Sequence, residues 1–137
     1  MQDNVDKKLI LVIDDEPDLV TYLETLFSDN GYQTISASNG VEAMEKVQDK
    51  IPDLITLDIS MPEKSGVRFY RELKTDPTLS SIPVLIITGI TGYGGNADSF
   101  EQFLASRKQV PPPEGFIGKP LEDPNALLAK IGELVNS

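Results

Sequence analysis

The sequence predicts an α/β protein: a doubly wound, five-stranded parallel sheet flanked by five helices. Short, almost unbroken apolar runs rich in Ile, Leu and Val suit strands covered on both faces. Between them lie stretches with apolar residues at helical spacing, and such strand–helix alternation is the mark of a parallel sheet with helices on both sides. The size agrees: 137 residues, 39% hydrophobic and 25% charged, suit one globular domain, with no internal repeat and no room for a second.

The elements follow in order. Leu9 to Ile13 is the first strand, stopped by Asp14-Asp15-Glu16-Pro17. Pro17 suits the first turn of a helix, where its missing N–H costs nothing. Leu19, Val20, Leu23, Leu26 and Phe27 mark that helix, and Asn30-Gly31 ends it. Tyr32 to Ala37 is a second, less apolar strand at an edge. Asn39 with Glu42 forms a capping pair for a helix that buries Ala43, Met44 and Val47. Asp53 to Leu57 is the third strand and ends at Asp58. After the loop marked by Met61-Pro62 and Gly66, a helix places Val67, Tyr70 and Leu73 on one face and closes near Asp76-Pro77.

Pro83 to Thr88 is the fourth strand. Gly89, Gly92, Gly94 and Gly95 then place four of the ten glycines within seven residues. A short helix carries Phe100, Phe103 and Leu104, and Pro111 to Pro113 forbid helix. Gly115 to Gly118 is a short fifth strand ending at Lys119-Pro120. Asp123 caps the last helix, which has Pro124 in its first turn and turns Leu127, Leu128, Ile131, Leu134 and Val135 inward.

Composition narrows the chemistry. The formal charge is −10, from 22 acidic and 12 basic residues. Direct nucleic-acid binding is not expected, since phosphate neutralisation needs clustered Lys and Arg. With no cysteine and no histidine, disulfides, thiol and imidazole catalysis, and Cys- or His-based zinc or haem sites are excluded. No apolar run reaches membrane-spanning length and residues 1–8 do not read as a signal peptide, so a cytoplasmic location is expected. The acid is unevenly placed: eight acidic and no basic residues separate Lys8 from Lys46.

In an open parallel sheet the strand C-termini share one rim, and sites form there, where the strand order switches. The predicted strand ends bring together Asp14-Asp15, Asp58, Thr88 and Lys119-Pro120. Taken singly, each could be a helix cap, a loop acid or a lysine facing water. Jointly they are three carboxylates, a hydroxyl and an ammonium. Clustered carboxylates repel, and a divalent cation gives them a reason to stay ionised. Mg²⁺ prefers such hard oxygen ligands. One Asp would remain as a nucleophile for a phosphoryl group, whose oxygens could bind the metal, Lys119 and Thr88.

These residues resemble the receiver domain of bacterial two-component response regulators, over residues 8 to 136. The strongest piece is Asp58-Ile59-Ser60-Met61-Pro62-Glu63-Lys64-Ser65-Gly66, which fits the family's Asp, two residues, Met-Pro, three residues, Gly. Asp14-Asp15, Thr88 and Lys119-Pro120 match in the family's order. The resemblance implies a flavodoxin-like fold of receiver type, with residues 1–137 a single receiver domain and no output domain. It implies that Asp58 is the phosphoacceptor and takes its phosphoryl group from the phosphohistidine of a sensor histidine kinase or phosphotransfer protein. Asp15 and Asp58 would bind Mg²⁺, the Ser60 carbonyl would add a backbone ligand, and Asp14 would hold metal-bound water. Thr88 and Lys119 would bind phosphoryl oxygens, and the Lys119-Pro120 peptide would be cis. Phe116 stands at the family's switch aromatic, although a half-buried packing role fits it nearly as well. Such a domain is not an enzyme beyond its own phosphorylation and dephosphorylation. Its signal would go to a downstream protein or to an output domain on a longer chain.

The stretch from Thr88 to Lys119 is longer than the family usually has, with extra length in Gly89 to Gly95 and Gln109 to Glu114. It lies beside the surface used for dimerisation and output, so a homodimer of the usual kind is left open. Ile90, two residues after Thr88, is apolar and cannot orient an attacking water, so slow self-dephosphorylation is expected.

Other readings are weaker. Gly92 to Ala97 matches G-x-G-x-x-A, but after the fourth strand rather than the first and beside an acidic rim. Gly118-Lys119 is followed by Pro120, so it is no P-loop. A flavin site would want hydroxyls and amides where Asp-Asp-Glu-Pro stands. A phosphatase with an Asp nucleophile usually has two Asp one residue apart after the first strand, whereas Asp14 and Asp15 are adjacent. A docking module that has lost phosphorylation would not be expected to keep all five residues.

Overall fold

The structure is a computed structural model describing residues 7–58, 65–89, 113–119, 121 and 123–136; for Ser65, Val67, Thr88, Gly89 and Lys119 the description is of the backbone. Five strands, β1 (Leu9–Ile13), β2 (Gln33–Ala37), β3 (Leu54–Leu57), β4 (Val84–Gly89) and β5 (Gly115–Lys119), form one sheet in the order β2-β1-β3-β4-β5. Every neighbouring pair is parallel. Four helices are described: α1 (Pro17–Asp29), α2 (Gly40–Asp49), α3 (Ser65–Thr75) and α4 (Pro124–Val135). The predicted helix with Phe100, Phe103 and Leu104 lies outside the described residues.

Both faces of the sheet are buried, which explains the unbroken apolar strands. Side chains alternate across a strand, so β1 sends Leu11 and Ile13 to one core and Ile10 and Val12 to the other. The first core is closed by Ala43 and Val47 of α2 and by Phe69, Tyr70 and Leu73 of α3. The second is closed by Leu23 and Phe27 of α1 and by Leu127 and Ile131 of α4. No described helix is long and apolar enough to cross a membrane.

The local signals perform as their chemistry requires. Pro17 opens α1, Asn30 follows its last residue, and Gly31 takes φ 94°, a conformation that favours glycine. The Asp123 carboxylate accepts the N–H groups of Asn125 and Ala126 at the start of α4. Two details differ. Phe69 joins Tyr70 and Leu73 in the core, because a sheet-packed helix buries a stripe wider than one residue per turn. Met44 is only half-buried against the first core, one position beyond Ala43 on the helix circumference.

The start of α2 carries a pH dependence. Asn39 Oδ1 accepts the Glu42 N–H at 2.8 Å, and Glu42 Oε1 accepts the Ser38 N–H at 2.8 Å and its hydroxyl at 3.0 Å. The Ser38 backbone N–H, then its hydroxyl, hold the Glu42 carboxyl below its ordinary value of 4.5. A carboxyl lowered on folding stabilises the fold above its unfolded pKa, and the contribution is lost as pH falls through the lower folded value. In a ¹³C carboxyl titration, Glu42 is therefore expected to protonate below the freely exposed glutamates. Glu42→Gln should flatten the acid limb of the stability curve slightly, the site being exposed. A Glu42 midpoint at or above 4.5 would contradict the bonding.

One buried charge lies at the opposite end of the sheet from the strand C-termini. Lys74, in the last turn of α3, has a side chain 1% exposed. Its Nζ donates to the carbonyls of Ile82 (2.9 Å) and Ser80 (3.2 Å) and to the Glu114 carboxylate (3.2 Å). It also stands 5.9 Å from the centre of the Tyr70 ring. Burial, and secondarily the Glu114 carboxylate, push the Tyr70 phenol well above its ordinary range.

Candidate functional site

The strand order reverses beside β1, which places the switch point at the C-terminal ends of β1 and β3. Asp14 and Asp58 are the residues immediately after those strands. The Asp58 N–H donates to the Ile13 carbonyl at 3.0 Å, and the Asp14 N–H donates to the Ala37 carbonyl at 3.1 Å. Both carboxylates therefore leave from backbone still held by a neighbouring strand. Asp14 and Asp58 are buried, at 3% and 2% exposure, while Asp15 faces solvent.

The three side chains converge, each offering a carboxylate oxygen within 4.8 Å of the others. Asp14 Oδ1 also accepts the Glu16 N–H at 2.9 Å, ahead of α1. Asp14 is thus both a turn former and a member of the cluster. A cavity of about 310 Å³ opens beside Asp14 and Asp15, with Thr21, Ser38 and Lys46 in its wall.

The rim continues along the sheet. Thr88 lies near the end of β4, paired with Gly118 of β5, and Gly89 is paired with Lys119. The backbone thus brings these two predicted residues to the same rim as the carboxylates. Their side chains, Ser60, Ile90, the 92–97 glycine motif and the Lys119–Pro120 peptide lie outside the described residues. Phe116 is half-buried and packs against the core beneath α2 and α3.

The donor set is purely oxygen, and the chain has no histidine or cysteine to offer a softer ligand. That composition fits a hard divalent cation such as Mg²⁺. The sequence assigns no role to Lys74, and marks Glu114 only as the end of the longer stretch before β5. A lysine closing a helix ordinarily reads as a solvated C-terminal charge, and only the fold shows it buried.

A carboxylate at the end of a central strand, backed by two more at the switch point, is the arrangement of an aspartate phosphoacceptor. Comparison with known proteins gives the same class. The family described as "Response regulator receiver domain" matches residues 10–131. Protein Rrf1 of Nitratidesulfovibrio vulgaris is 34% identical over 122 residues, covering 89% of this chain and 78% of Rrf1. Response regulator PleD of Caulobacter vibrioides is 33% identical over 114 residues, 83% of this chain but 23% of PleD. Among solved structures, the signal receiver domain of a signal transduction histidine kinase from Syntrophus aciditrophicus superposes with a TM-score of 0.77 at 29% identity, covering 94% of this chain and 90% of that one. A CheY-like receiver domain protein from Methanospirillum hungatei, 22% identical, shares the fold with a TM-score of 0.77 over 96% of this chain and 95% of its own. The chain belongs to the response regulator receiver domain family. It is a phosphoacceptor domain of the two-component type.

Proposed function

We propose that Asp58 is the phosphoacceptor and that its donor is the phosphohistidine of a sensor histidine kinase or phosphotransfer protein. A carboxylate oxygen of Asp58 forms the new P–O bond as the donor's P–N bond breaks, and the imidazole leaves. The observation that carries this reading is the convergence of Asp14, Asp15 and Asp58 within 4.8 Å, with Asp58 buried at the end of β3. Asp15, Asp58 and the Ser60 carbonyl would hold Mg²⁺, with Asp14 in its outer sphere. Bound there, the ion supplies positive charge against three carboxylates and the incoming phosphoryl oxygens. Thr88 and Lys119, carried to the same rim by β4 and β5, bind the remaining oxygens.

The histidine this chemistry needs is then on the partner, since the chain has none. Beyond its own phosphorylation and dephosphorylation the domain turns over no substrate, and its place is the cytoplasm, with residues 8–136 acting as one receiver domain. Phosphorylation draws Thr88 toward the new oxygens and Phe116 turns inward. A surface formed by β4, β5 and their helices is thereby re-presented. Its reader is a downstream protein, an output domain or a second copy of the chain.

Beryllofluoride with Mg²⁺, a phosphoryl mimic, tests this. It is expected to shift the amide resonances of Thr88 and Phe116 in the parent and not in Asp58→Asn. No shift in the parent, or an equal shift in Asp58→Asn, would overturn the assignment.

A further inference from the structure

Lys119 reaches the rim, and Phe116 its place in the core beneath, only if β5 pairs with β4 in one register, and β5 has few side chains with which to choose it. It is a five-residue edge strand, Gly-Phe-Ile-Gly-Lys, with two glycines. Phe116 packs against one core and Ile117 against the other. A slip by one residue would move every side chain to the opposite face, leave a glycine in one of the two apolar slots, and bring a side chain to the place of Gly115, where an added Cβ would lie 2.7 Å from Lys130 Cε. No tight turn sets the pairing, because β4 and β5 are parallel and a parallel pair is joined by a crossover rather than a hairpin.

A polar hold on β5 lies at the other end of the strand. Glu114 immediately precedes β5, and its N–H donates to the Val84 carbonyl at 3.0 Å. Its carboxylate Oε1 accepts the Val84 N–H at 2.8 Å, so side chain and main chain both fasten on the first residue of β4. The same carboxylate takes the buried Lys74 ammonium at 3.2 Å, and that ammonium also holds the carbonyls of Ile82 and Ser80 on the approach to β4. Any shift of β5 would draw Glu114 away from an ammonium that is 1% exposed, and an unpaired buried charge is strongly disfavoured.

We infer that Lys74 and Glu114 form a register lock: a positioning pair, remote from the acidic cluster, that holds β5 in register on β4 and thereby delivers Lys119 to the phosphorylation rim and Phe116 to the core beneath it. The lock rests on the phosphoacceptor reading above. It does not act on Asp14, Asp15 or Asp58, which follow β1 and β3.

That separation gives the test. In the full chain, well below the melting temperature, Mg²⁺ binding is followed by NMR titration of the Asp15 and Asp58 amides. Beryllofluoride binding is then followed at saturating Mg²⁺. Glu114→Ala is expected to leave Mg²⁺ affinity within about twofold while weakening beryllofluoride at least fivefold, with loss of the cross-strand contacts between Ile86 and Phe116. Glu114→Gln, which keeps an acceptor for the Val84 N–H, should recover part of the loss. If Glu114→Ala does not fold, a twofold or greater weakening in Glu114→Gln is the expected result. Parent-like beryllofluoride affinity in the folded variant, or an equal loss of both affinities, overturns the lock. Failure of the parent to bind beryllofluoride would instead overturn the phosphoacceptor reading.

Discussion

Asp58→Asn is expected to abolish phosphorylation and to make the protein more stable. Phosphoryl incorporation from a small acyl phosphate, followed on a phosphate-retarding gel, should fall by at least about a hundredfold, since the amide is a poor nucleophile. Stability should move the other way. Asp58 shares a space of 4.8 Å with Asp14 and Asp15, and Asp14 and Asp58 are both buried. Two unit charges about 5 Å apart repel by roughly 3 kcal/mol at an effective dielectric of about 20. Solvent at the exposed Asp15 screens part of this, so removing one charge should gain about 1–2 kcal/mol in metal-free buffer, or roughly 3–8 °C in melting temperature. Millimolar Mg²⁺ should stabilise the parent and narrow the gap. Calorimetry with and without Mg²⁺ checks this. A variant less stable than the parent in chelator would mean that the cluster is not under charge strain.

Phe27→Ala is expected to cause the largest loss of stability. Phe27 is fully buried on the last turns of α1, packed against Leu23 and the sheet in the core shared with α4. Its ring meets Tyr32 edge-on, with centroids 6.4 Å apart at 81°. Its carbonyl accepts the N–H groups of Asn30 and Tyr32 where the chain turns toward β2. Truncating a fully buried phenylalanine costs about 3–5 kcal/mol, a large share of the roughly 5–15 kcal/mol that holds a domain folded. Urea unfolding should show the midpoint falling at unchanged slope, with melting lowered by about 10–20 °C. Phe27→Leu should lose only about 1 kcal/mol. A cost under about 1 kcal/mol for the alanine would show that the α1 face is loosely packed.

How much of this was legible in the sequence depends on how local each signal is. Pro17, Asn30-Gly31, Asn39 and Asp123 act on backbone within a few residues, and each helix boundary they predict is observed within one residue. The strands followed from unbroken apolar runs, because double coverage removes polar alternation. Asp14, Asp15 and Asp58 were placed together because residues ending parallel strands share a rim whatever their separation in sequence. Lys74 and Glu114 escaped for the opposite reason. Their meeting depends on where the end of α3 falls relative to the first rungs of β4 and β5, and no periodicity records that distance. Phe69 was missed because a one-residue-per-turn pattern undercounts the width of a buried stripe.

The way the acids are mounted bears on which part of the molecule can respond to them. The amides of Asp14 and Asp58 are bonded to β2 and β1, so both residues are extensions of the sheet rather than tips of free loops. Their backbone has little compliance. New charge on Asp58 cannot be accommodated by withdrawing the acceptor, and the central strands serve as the fixed support against which displacement is measured. Of the two five-residue edge strands, β2 and β5, it is β5 that carries a proposed phosphoryl contact, Lys119. A signal written at the centre would therefore leave by that margin, and Glu114, at its far end, would be the hinge pin about which it turns.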